Sequence, residues 1–372
     1  MALDVPRFRR GSSSPSTDES PGDAATEERV ADIPSVEGEV IRTPPEPGAP
    51  PPSADDEAPT VGIGPYQLAW RRLRRNKVAL GFLGLFALIV LLCLLAPVYS
   101  HYIAHIGPNA ENPTGTVDGK DVLSPSGIPV GPTFTAHYFF GADSQGRDLA
   151  VRLLYGGRTS LMIGGIATVV IIVFGTLIGL FAGYFRGIVD ALLRPLMELI
   201  WSFPPVILGV AVGTALALGG IGPIKGNSPF IPAFIIGVIY IPYLGKPVRG
   251  EVLRLREQDF IDAARAQGMS PWRIIRSEIL PNAFSTIIVF VPMMLANAIL
   301  LEAYLSFFGA GVQPPNPSWG NLISDGISYI TTTPSYCLIP SAMLVLAVLS
   351  INIFGDGVRD ALDPRAQVKI KL

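Results

Sequence analysis

The sequence predicts an all-α, polytopic membrane protein with six transmembrane helices. Of its 372 residues, 49% are hydrophobic and only 16% are charged. Six apolar stretches approach or exceed about 20 residues, the length that a helix needs to cross a bilayer core. The Lys and Arg residues collect beside these stretches rather than inside them. This composition overrides the two or three soluble domains that the chain length alone would suggest.

Residues 1–65 form a predicted disordered, acidic and Pro-rich cytoplasmic tail. They hold thirteen Asp or Glu and five Arg, a net charge of −8, so the rest of the chain carries +6 of the total of −2. Such a segment cannot bury enough apolar surface to offset its ordering entropy. A docking or regulatory role is the alternative to a plain solvated tail. The tail has no signal-peptide pattern, and the first apolar run, from Val78, is expected to remain as an anchor.

Residues 66–77 predict a basic helix at the inner membrane surface. Leu68, Trp70 and Leu73 stand among arginines, a pattern that suits contact with anionic membrane lipid. A nucleic-acid-binding patch is the alternative. We expect no nucleic acid partner, because an apolar span begins immediately afterwards.

The membrane domain is predicted over 78–372. Its spans are 78–99, 161–185, 199–224, 226–245, 283–301 and 337–355. The fourth contains three prolines, which a span tolerates where neighbouring helices satisfy the backbone. Cys93 and Cys337 lie in separate apolar runs and support neither a disulfide nor a metal site, so each is expected as a small buried residue.

Lys and Arg near the span ends predict the orientation. Basic residues precede the first span, follow the sixth, and fill the segment 246–282 between the fourth and fifth spans. The loop between the fifth and sixth spans has none. Because cytoplasmic loops carry the excess of basic residues, both termini and the 246–282 loop are predicted in the cytoplasm. The loop 100–158 is then external.

The polar loop between the fourth and fifth spans predicts two short helices at a sharp angle. Asp259 is the expected N-cap of the first. Gly268 can adopt the left-handed conformation that ends a helix. Ser270 and Pro271 then begin a second helix as N-cap and first residue, and Pro281 marks the next break. Such a compact knob indicates docking to a separate soluble protein.

Asp262-Ala263-Ala264 through Gly268, with Leu280-Pro281 downstream, resembles the E-A-A-x-x-x-G and L-P signature of ABC importer permeases. In that family this loop is a coupling helix that docks into a separate ATPase subunit. Asp262 replaces the usual Glu, and Glu278 stands where an apolar residue or His is usual. An ordinary amphipathic connector is the alternative. The coupling residues that the resemblance implies are Asp262, Ala263, Ala264, Gly268, Ser270, Pro271, Trp272, Arg273, Leu280 and Pro281.

Two further segments are similar to the dipeptide, oligopeptide and nickel branch of these importers. Residues 140–161 resemble its F-G-T-D-x-x-G-R-D and R-L-L-Y-G-x-R-x-S-L stretch, with Ala142 in place of Thr. Residues 302–320 resemble its E-A-x-L-S-F-L-G-L-G-V-Q-P-P-x-P-S-W-G run. Together the matches cover about 66–365.

The first of these segments has an ordinary structural interpretation as an entry helix at the outer interface. Asp143 or Ser144 is expected to cap this helix, while Arg147 and Arg152 extend along the membrane surface to reach water. We therefore use this segment to identify the family and assign it no binding role.

The resemblance implies an ABC importer type I permease fold in a bacterial inner membrane. The implied partners are a second homologous permease subunit, two cytoplasmic ABC ATPase subunits, an extracytoplasmic substrate-binding lipoprotein and a short peptide as substrate. The substrate class within the branch, whether dipeptide, oligopeptide, nickel complex or glutathione, stays open.

Three residues are candidates for the pathway or the outer gate: Glu302, Asn297 and Trp319. Glu302, at the outer end of the fifth span, is either an interfacial carboxylate paired with backbone or water, or a contact for a peptide amino terminus. Trp319 belongs to a Pro-dense loop that forms either a gate or platform, or a rigid turn with a buried Trp.

The alternatives are an ion-coupled secondary transporter, a passive channel, and a membrane enzyme acting on lipid-linked substrates. The spans lack mid-membrane carboxylates and histidines, which an ion-coupled carrier would use. The chain has no phosphate-binding loop, nucleophilic elbow or metal-ligand cluster. We therefore expect no cofactor and no metal, and ATP hydrolysis on separate subunits.

Overall fold

A computed structural model describes residues 65–219 and 228–362, and these residues are mainly helical. The predicted acidic tail, 1–65, lies outside the described residues except for its last position. The helices are α1 (Pro65–Arg75), α2 (Lys77–Leu94), α3 (Ala96–Tyr102), α4 (Leu149–Phe185), α5 (Gly187–Trp201), α6 (Pro205–Gly219), α7 (Phe230–Arg256), α8 (Asp259–Ala266), α9 (Pro271–Ile274), α10 (Leu280–Phe307), α11 (Trp319–Ile327) and α12 (Pro334–Leu362), with a π-helix at Ile275–Ile279.

Five helical segments in the described residues are long and apolar enough to cross a membrane, and α5 with α6 makes a sixth if the pair is one broken span. This pair bends by 91° near the start of the predicted third span, and the described part of that span continues as α6. The helix breaks between Trp201 and Pro205. Pro205 has no N–H to donate and disfavours the helical conformation at Pro204, so the apolar run cannot continue as one helix.

The fourth and fifth crossing helices extend well beyond their apolar stretches. Helix α7 continues eleven residues past Gly245, to Arg256. At the other side, the helical turns that lead into α10 begin at Pro271. Much of the loop predicted over 246–282 is therefore helix, because a helix satisfies its own backbone at the membrane boundary as well as inside it.

Helices α4 and α7 pack through small residues. A Cβ added at Gly179 would lie 2.8 Å from the Gly245 carbonyl oxygen, and one at Gly183 would lie 2.7 Å from the Cβ of Val252. In lipid, such small residues let helix backbones approach closely enough for van der Waals packing to hold them. This contact forms the centre of the largest apolar core.

The loop between α3 and α4, residues 103–148, carries the two short antiparallel strands β1 (Thr116–Val117) and β2 (Lys120–Asp121). Helix α4 begins at Leu149, nine residues before the predicted end of the external loop. Its N-cap is Asp148, whose side chain accepts hydrogen bonds from the two amides at 150 and 151. The expectation that Asp143 or Ser144 caps this helix is wrong.

Helix α1, Pro65–Arg75, has nearly the bounds predicted for the basic helix, 66–77. Leu73 is buried against Ala361 of α12, whereas Trp70 is exposed and has the Arg74 guanidinium 5.1 Å from its ring centre. The amphipathic pattern is the one expected of a surface helix, and its contact with lipid stays a prediction.

Candidate coupling segment and transport face

The predicted coupling residues begin on α8. Its N-cap is Gln258 rather than Asp259, which lies instead in the first helical turn with Asp262. Both carboxylates are therefore at the positive end of the helix dipole, where negative charge is favoured. Asp262 also accepts a hydrogen bond of 2.8 Å from Arg265. The one-residue shift leaves the helix and its acidic start as expected.

Gly268 ends this segment in the left-handed conformation, with φ +76°, as the sequence predicts. The Met269 N–H reaches back to the Ala264 carbonyl at 3.1 Å, and the Gly268 N–H reaches the Arg265 carbonyl at 2.9 Å. These bonds satisfy carbonyl groups that the helix end would otherwise leave free. The turn is defined by backbone geometry, and a Cβ at Gly268 would meet no atom within 4 Å.

The helix that follows begins as predicted but does not end as predicted. Ser270 is its N-cap, with its hydroxyl accepting from the Arg273 amide, and Pro271 is its first residue. The break expected at Pro281 is absent, because the helix passes through the π-helix into α10. The π turn that precedes Pro281 widens the helix where the proline lacks an N–H, and the helix continues past it. One continuous helix therefore runs over Pro271–Phe307.

The inner face of this segment is buried and its outer face is exposed. Ile261, Ile274 and Ile279 belong to the same apolar core as Tyr184 at the end of α4. On the other side the exposed members of the predicted coupling set are Asp262, Ala263, Gly268, Ser270, Pro271, Trp272, Arg273 and Pro281, whereas Ala264 is buried and Leu280 half-buried. This exposed side, here called the docking surface, lies on a base that is packed into the apolar core.

An aromatic stack fixes the segment to α4. The ring of Trp272 lies 6.3 Å from that of Phe181 with an interplanar angle of 15°, and Phe181 lies 6.0 Å from Phe185. Ring pairs at such spacing stabilise a contact beyond their buried area. Because Trp272 is still 58% exposed, its other face remains available to a partner.

The three pathway candidates occupy different environments. Glu302 is completely buried, and its carboxylate accepts a hydrogen bond of 2.7 Å from Ser306. Trp319 is also completely buried, with its indole N–H donating to the Leu153 carbonyl at 3.2 Å. Both side chains thus tie α10 and α11 into the fold rather than facing open space.

Asn297 is half-buried, and its side-chain amide donates to the Met293 carbonyl one turn earlier at 2.9 Å. Met293 borders a cavity of about 620 Å³ between the ends of α7, α10 and α12. Residues of α10 at this spacing share one face of the helix. The α10 face with Met293 and Asn297 is here called the transport face, because Met293 borders the cavity and Asn297 lies one turn further along the same face.

Sequence reasoning missed a buried charge cluster beside the loop at 103–148. Asp143 is completely buried and accepts from Arg147 at 2.6 Å, with the Arg152 Nε 3.0 Å from the same oxygen. Neither arginine reaches the surface, so the expectation that they extend to water is wrong. Arg152 also donates to the Pro108 carbonyl at 3.0 Å, which holds this loop against α4. A buried carboxylate supplies the counter-charge that makes burial of arginine tolerable.

Asp148 lies beside this cluster, but its carboxylate accepts hydrogen bonds from backbone amides instead of pairing with an arginine. Besides capping α4, it accepts a hydrogen bond of 2.6 Å from the Tyr138 amide. Burial raises the pKa of Asp148, and the backbone donors oppose that rise by stabilising its ionised form.

The chain is similar to known proteins over most of its length. Residues 175–368 match the family of binding-protein-dependent transport system inner membrane components, and residues 64–113 match the N-terminal TM domain of oligopeptide transport permease C. The dipeptide transport system permease protein DppC of Alkalihalophilus pseudofirmus is 36% identical over 86% of this chain and 95% of its own length. The glutathione transport system permease protein GsiD of Pectobacterium atrosepticum is 34% identical over 81% of this chain and 91% of its own.

The oligopeptide transport system permease protein OppC of Haemophilus influenzae is 33% identical over 83% of this chain and 92% of its own length. Among solved structures, the MetNI methionine ABC transporter in an inward-facing conformation aligns at 21% identity with a TM-score of 0.46, over 56% of this chain and 95% of that one. The sequence matches alone establish that the chain belongs to the family of binding-protein-dependent transport system inner membrane components, as a multi-pass permease of a bacterial inner membrane.

Proposed function

We propose that this permease forms half of the translocation pathway of an ATP-driven importer for short peptides. Its partners are a second homologous permease subunit, two cytoplasmic ABC ATPase subunits and an extracytoplasmic substrate-binding lipoprotein. The chain itself is non-catalytic, and hydrolysis takes place on the ATPase subunits. The names of its relatives, which include dipeptide and oligopeptide permeases, support the substrate class.

The observation that carries this proposal is the continuity of the helix over Pro271–Phe307. Its first turn belongs to the exposed docking surface, and its later turns carry the transport face with Met293 and Asn297. At 1.5 Å per residue the helix is about 55 Å long. A push on α8 and the Gly268 turn therefore reaches the transport face along one run of helical turns, through the π turn and past Pro292.

In the proposed mechanism, closure of the ATPase subunits moves the 259–281 segment, and the membrane helices of the permease move with it as a rigid body. The cavity beside the transport face then opens alternately to the two sides of the membrane. The Trp272 stack on Phe181 makes α4 move with the segment, because the contact joins both elements. The two permeases together enclose the pathway, and each supplies one wall.

An ion-coupled carrier remains the main alternative. Its strongest candidate residue is Glu302, a carboxylate within α10. That carboxylate is enclosed by packed helices and hydrogen-bonded to Ser306, whereas coupling needs a group that exchanges ions with both sides. Uptake that survives collapse of the proton and sodium gradients would exclude this alternative.

The test is Gly268→Pro in the complete importer reconstituted in lipid vesicles. Proline fixes φ near −65°, far from the observed +76°, and removes the N–H that bonds to Arg265. We expect the variant to insert and to retain ATP hydrolysis while ATP-driven peptide uptake falls about tenfold or more, a loss of about 1.4 kcal/mol of coupling.

Gly268→Asn is the matched control. Asn tolerates the left-handed conformation, and a Cβ at this position has free space, so uptake is expected to stay close to that of the wild type. Normal uptake by Gly268→Pro would contradict the coupling assignment.

A further inference from the structure

Lys246 lies on helix α7 and not in the loop where its sequence neighbours suggest. The helix continues to Arg256, so Lys246 is ten residues, or about 15 Å, before the helix end. It therefore belongs to a helix that is apolar enough to cross the membrane. Lys246 directly follows the apolar stretch of this helix, which ends at Gly245, so its ammonium lies where the apolar part of the helix ends.

The other cations of α7 have protein partners. These pairs are Arg249 with Asp190, Arg254 with Glu251, and Arg256 with the backbone carbonyl and ring of Tyr184. Across residues 65–219 and 228–362, no carboxylate pairs with Lys246 and no acceptor takes a hydrogen bond from it. Its ammonium nitrogen lies instead 4.5 Å from the centre of the Trp201 ring. The three N–H donors of the lysine are thus left for a ligand.

The surroundings of Lys246 are aromatic and partly open. Trp201 lies 4.0 Å from the ring of Tyr243 and is 45% exposed, at the elbow where α5 meets α6. Tyr240 adds a third ring, 4.9 Å from Tyr243. A ring face stabilises an ammonium by about 0.5–1 kcal/mol at an exposed site, less than a charge-assisted hydrogen bond supplies. An anionic ligand therefore competes effectively for this lysine.

Lys246 shares a helix face with a residue of the cavity wall. Lys246, Gly250 and Arg254 recur at intervals of four residues, which places them on one side of α7. Gly250 is exposed, and a Cβ there would meet no atom within 4 Å. Arg254 lines the 620 Å³ cavity that borders the transport face. The open side of α7 therefore leads from the cavity to the aromatic cation site.

We propose that Lys246 binds the terminal carboxylate of the imported peptide, with Trp201 and Tyr243 as the aromatic wall of the site. This inference rests on the proposed function of the permease. A terminal carboxylate is common to short peptides of any side-chain sequence, so one cation can serve many substrates. The contact is a reversible, charge-assisted hydrogen bond, and no covalent step is involved.

The experiment compares uptake of Ala-Ala-Ala and of its C-terminal amide by the complete importer in vesicles. Lys246→Gln is expected to reduce uptake of the free acid about tenfold or more, because it removes a hydrogen bond between two charged groups. Uptake of the amide, which has no carboxylate to lose, is expected to stay within about twofold of the wild type. Lys246→Arg keeps the positive charge and is expected to recover most of the uptake of the free acid.

Arg194→Gln is the matched control, because it removes an exposed cation whose partner is Glu198 on α5. It is expected to leave uptake of both peptides unchanged. An equal loss of both peptides in Lys246→Gln, or no loss of either, would overturn the proposal. A wild-type importer that takes up no peptide with ATP would contradict the proposed function instead.

Charge restoration is the second measurement, and it depends only on the free acid. In Lys246→Cys, attachment of an ethylammonium group through a disulfide is expected to restore uptake of Ala-Ala-Ala, and attachment of an ethylsulfonate group is not. Equal uptake after the two reactions would overturn the assignment. The loss in Lys246→Gln is expected in phosphatidylcholine vesicles with or without phosphatidylglycerol. A loss confined to the anionic vesicles would assign Lys246 to lipid phosphate and overturn the proposal.

Discussion

Asp143 and Asp148 are five residues apart in one loop and stabilise different groups. Asp143 neutralises two buried arginines, whereas Asp148 accepts hydrogen bonds from backbone amides and caps α4. The sequence does not show which of the two residues caps α4, since Asp is a favoured N-cap residue at either position. The assignment depends on which carboxylate the folded loop turns toward Arg147 and Arg152.

Replacement of Asp143 tests the buried cluster. Asp143→Ala leaves Arg147 and Arg152 buried without their counter-charge, which costs about 3–5 kcal/mol when a buried pair is broken. We expect a lower thermal unfolding midpoint of the purified importer and faster proteolysis within the loop at 103–148. The variant Glu198→Ala, which breaks an exposed pair with Arg194, is the control and is expected to cost less than about 1 kcal/mol. Equal midpoints for the two variants would contradict the structural role of the cluster.

Local capping rules predict the turn at Gly268 and Ser270 correctly but misplace the N-caps of α4 and α8. Gly268 and Ser270 have the conformations that the sequence predicts, because a left-handed helix end and an N-cap depend on nearby atoms. Arg147 and Arg152 do not follow the prediction. Their burial depends on Asp143 and on the carbonyl at 108, and no local pattern reveals those contacts in three dimensions.

At the scale of elements, hydropathy finds the apolar helices but not their joints. The run over 199–224 carries no charge, yet the chain bends by 91° between α5 and α6, near the start of that run. Pro281 is the opposite case, because a proline read as a break lies inside a continuous helix. Whether a proline breaks a helix depends on the turn around it, and a π turn provides the room that an α turn lacks.

The contact between α4 and α7 is tested by Gly179→Leu. A Cβ at this position would lie 2.8 Å from the Gly245 carbonyl oxygen, so the helices must separate to admit a side chain. Overpacking of this kind costs about 1–3 kcal/mol. We expect a lower unfolding midpoint and less assembled importer on size-exclusion chromatography.

Gly165→Ala on the same helix is the control for this variant. A Cβ at Gly165 would meet no atom within 4 Å, so its midpoint is expected to match that of the wild type. If Gly179→Leu had the same unfolding midpoint as Gly165→Ala, close packing of α4 on α7 would not be what stabilises this core.

At the scale of the whole molecule, the fold class and the family were predictable, and the transport face was not. The apolar stretches and three short motifs are local in sequence, so they can be recognised without coordinates. The pathway candidates Glu302 and Trp319 are buried in the structure, and Asn297 alone lies on the open face of α10. The exposure of a residue depends on how other helices pack around it, and the sequence of one span does not reveal that packing. Membrane orientation stays a prediction from the basic residues.

In the proposed mechanism, one continuous helix carries motion from the docking surface to the transport face. Introducing Ser277→Gly together with Glu278→Gly places a flexible pair between the two ends, in the π turn, where Ser277 is exposed and Glu278 half-buried. Each glycine in a helix interior costs about 1 kcal/mol relative to Ala and loosens the turn. The measurement is peptide uptake per ATP hydrolysed by the reconstituted importer. We expect hydrolysis to continue while uptake per ATP falls severalfold; an unchanged ratio in a fully inserted variant would contradict transmission of motion through this helix.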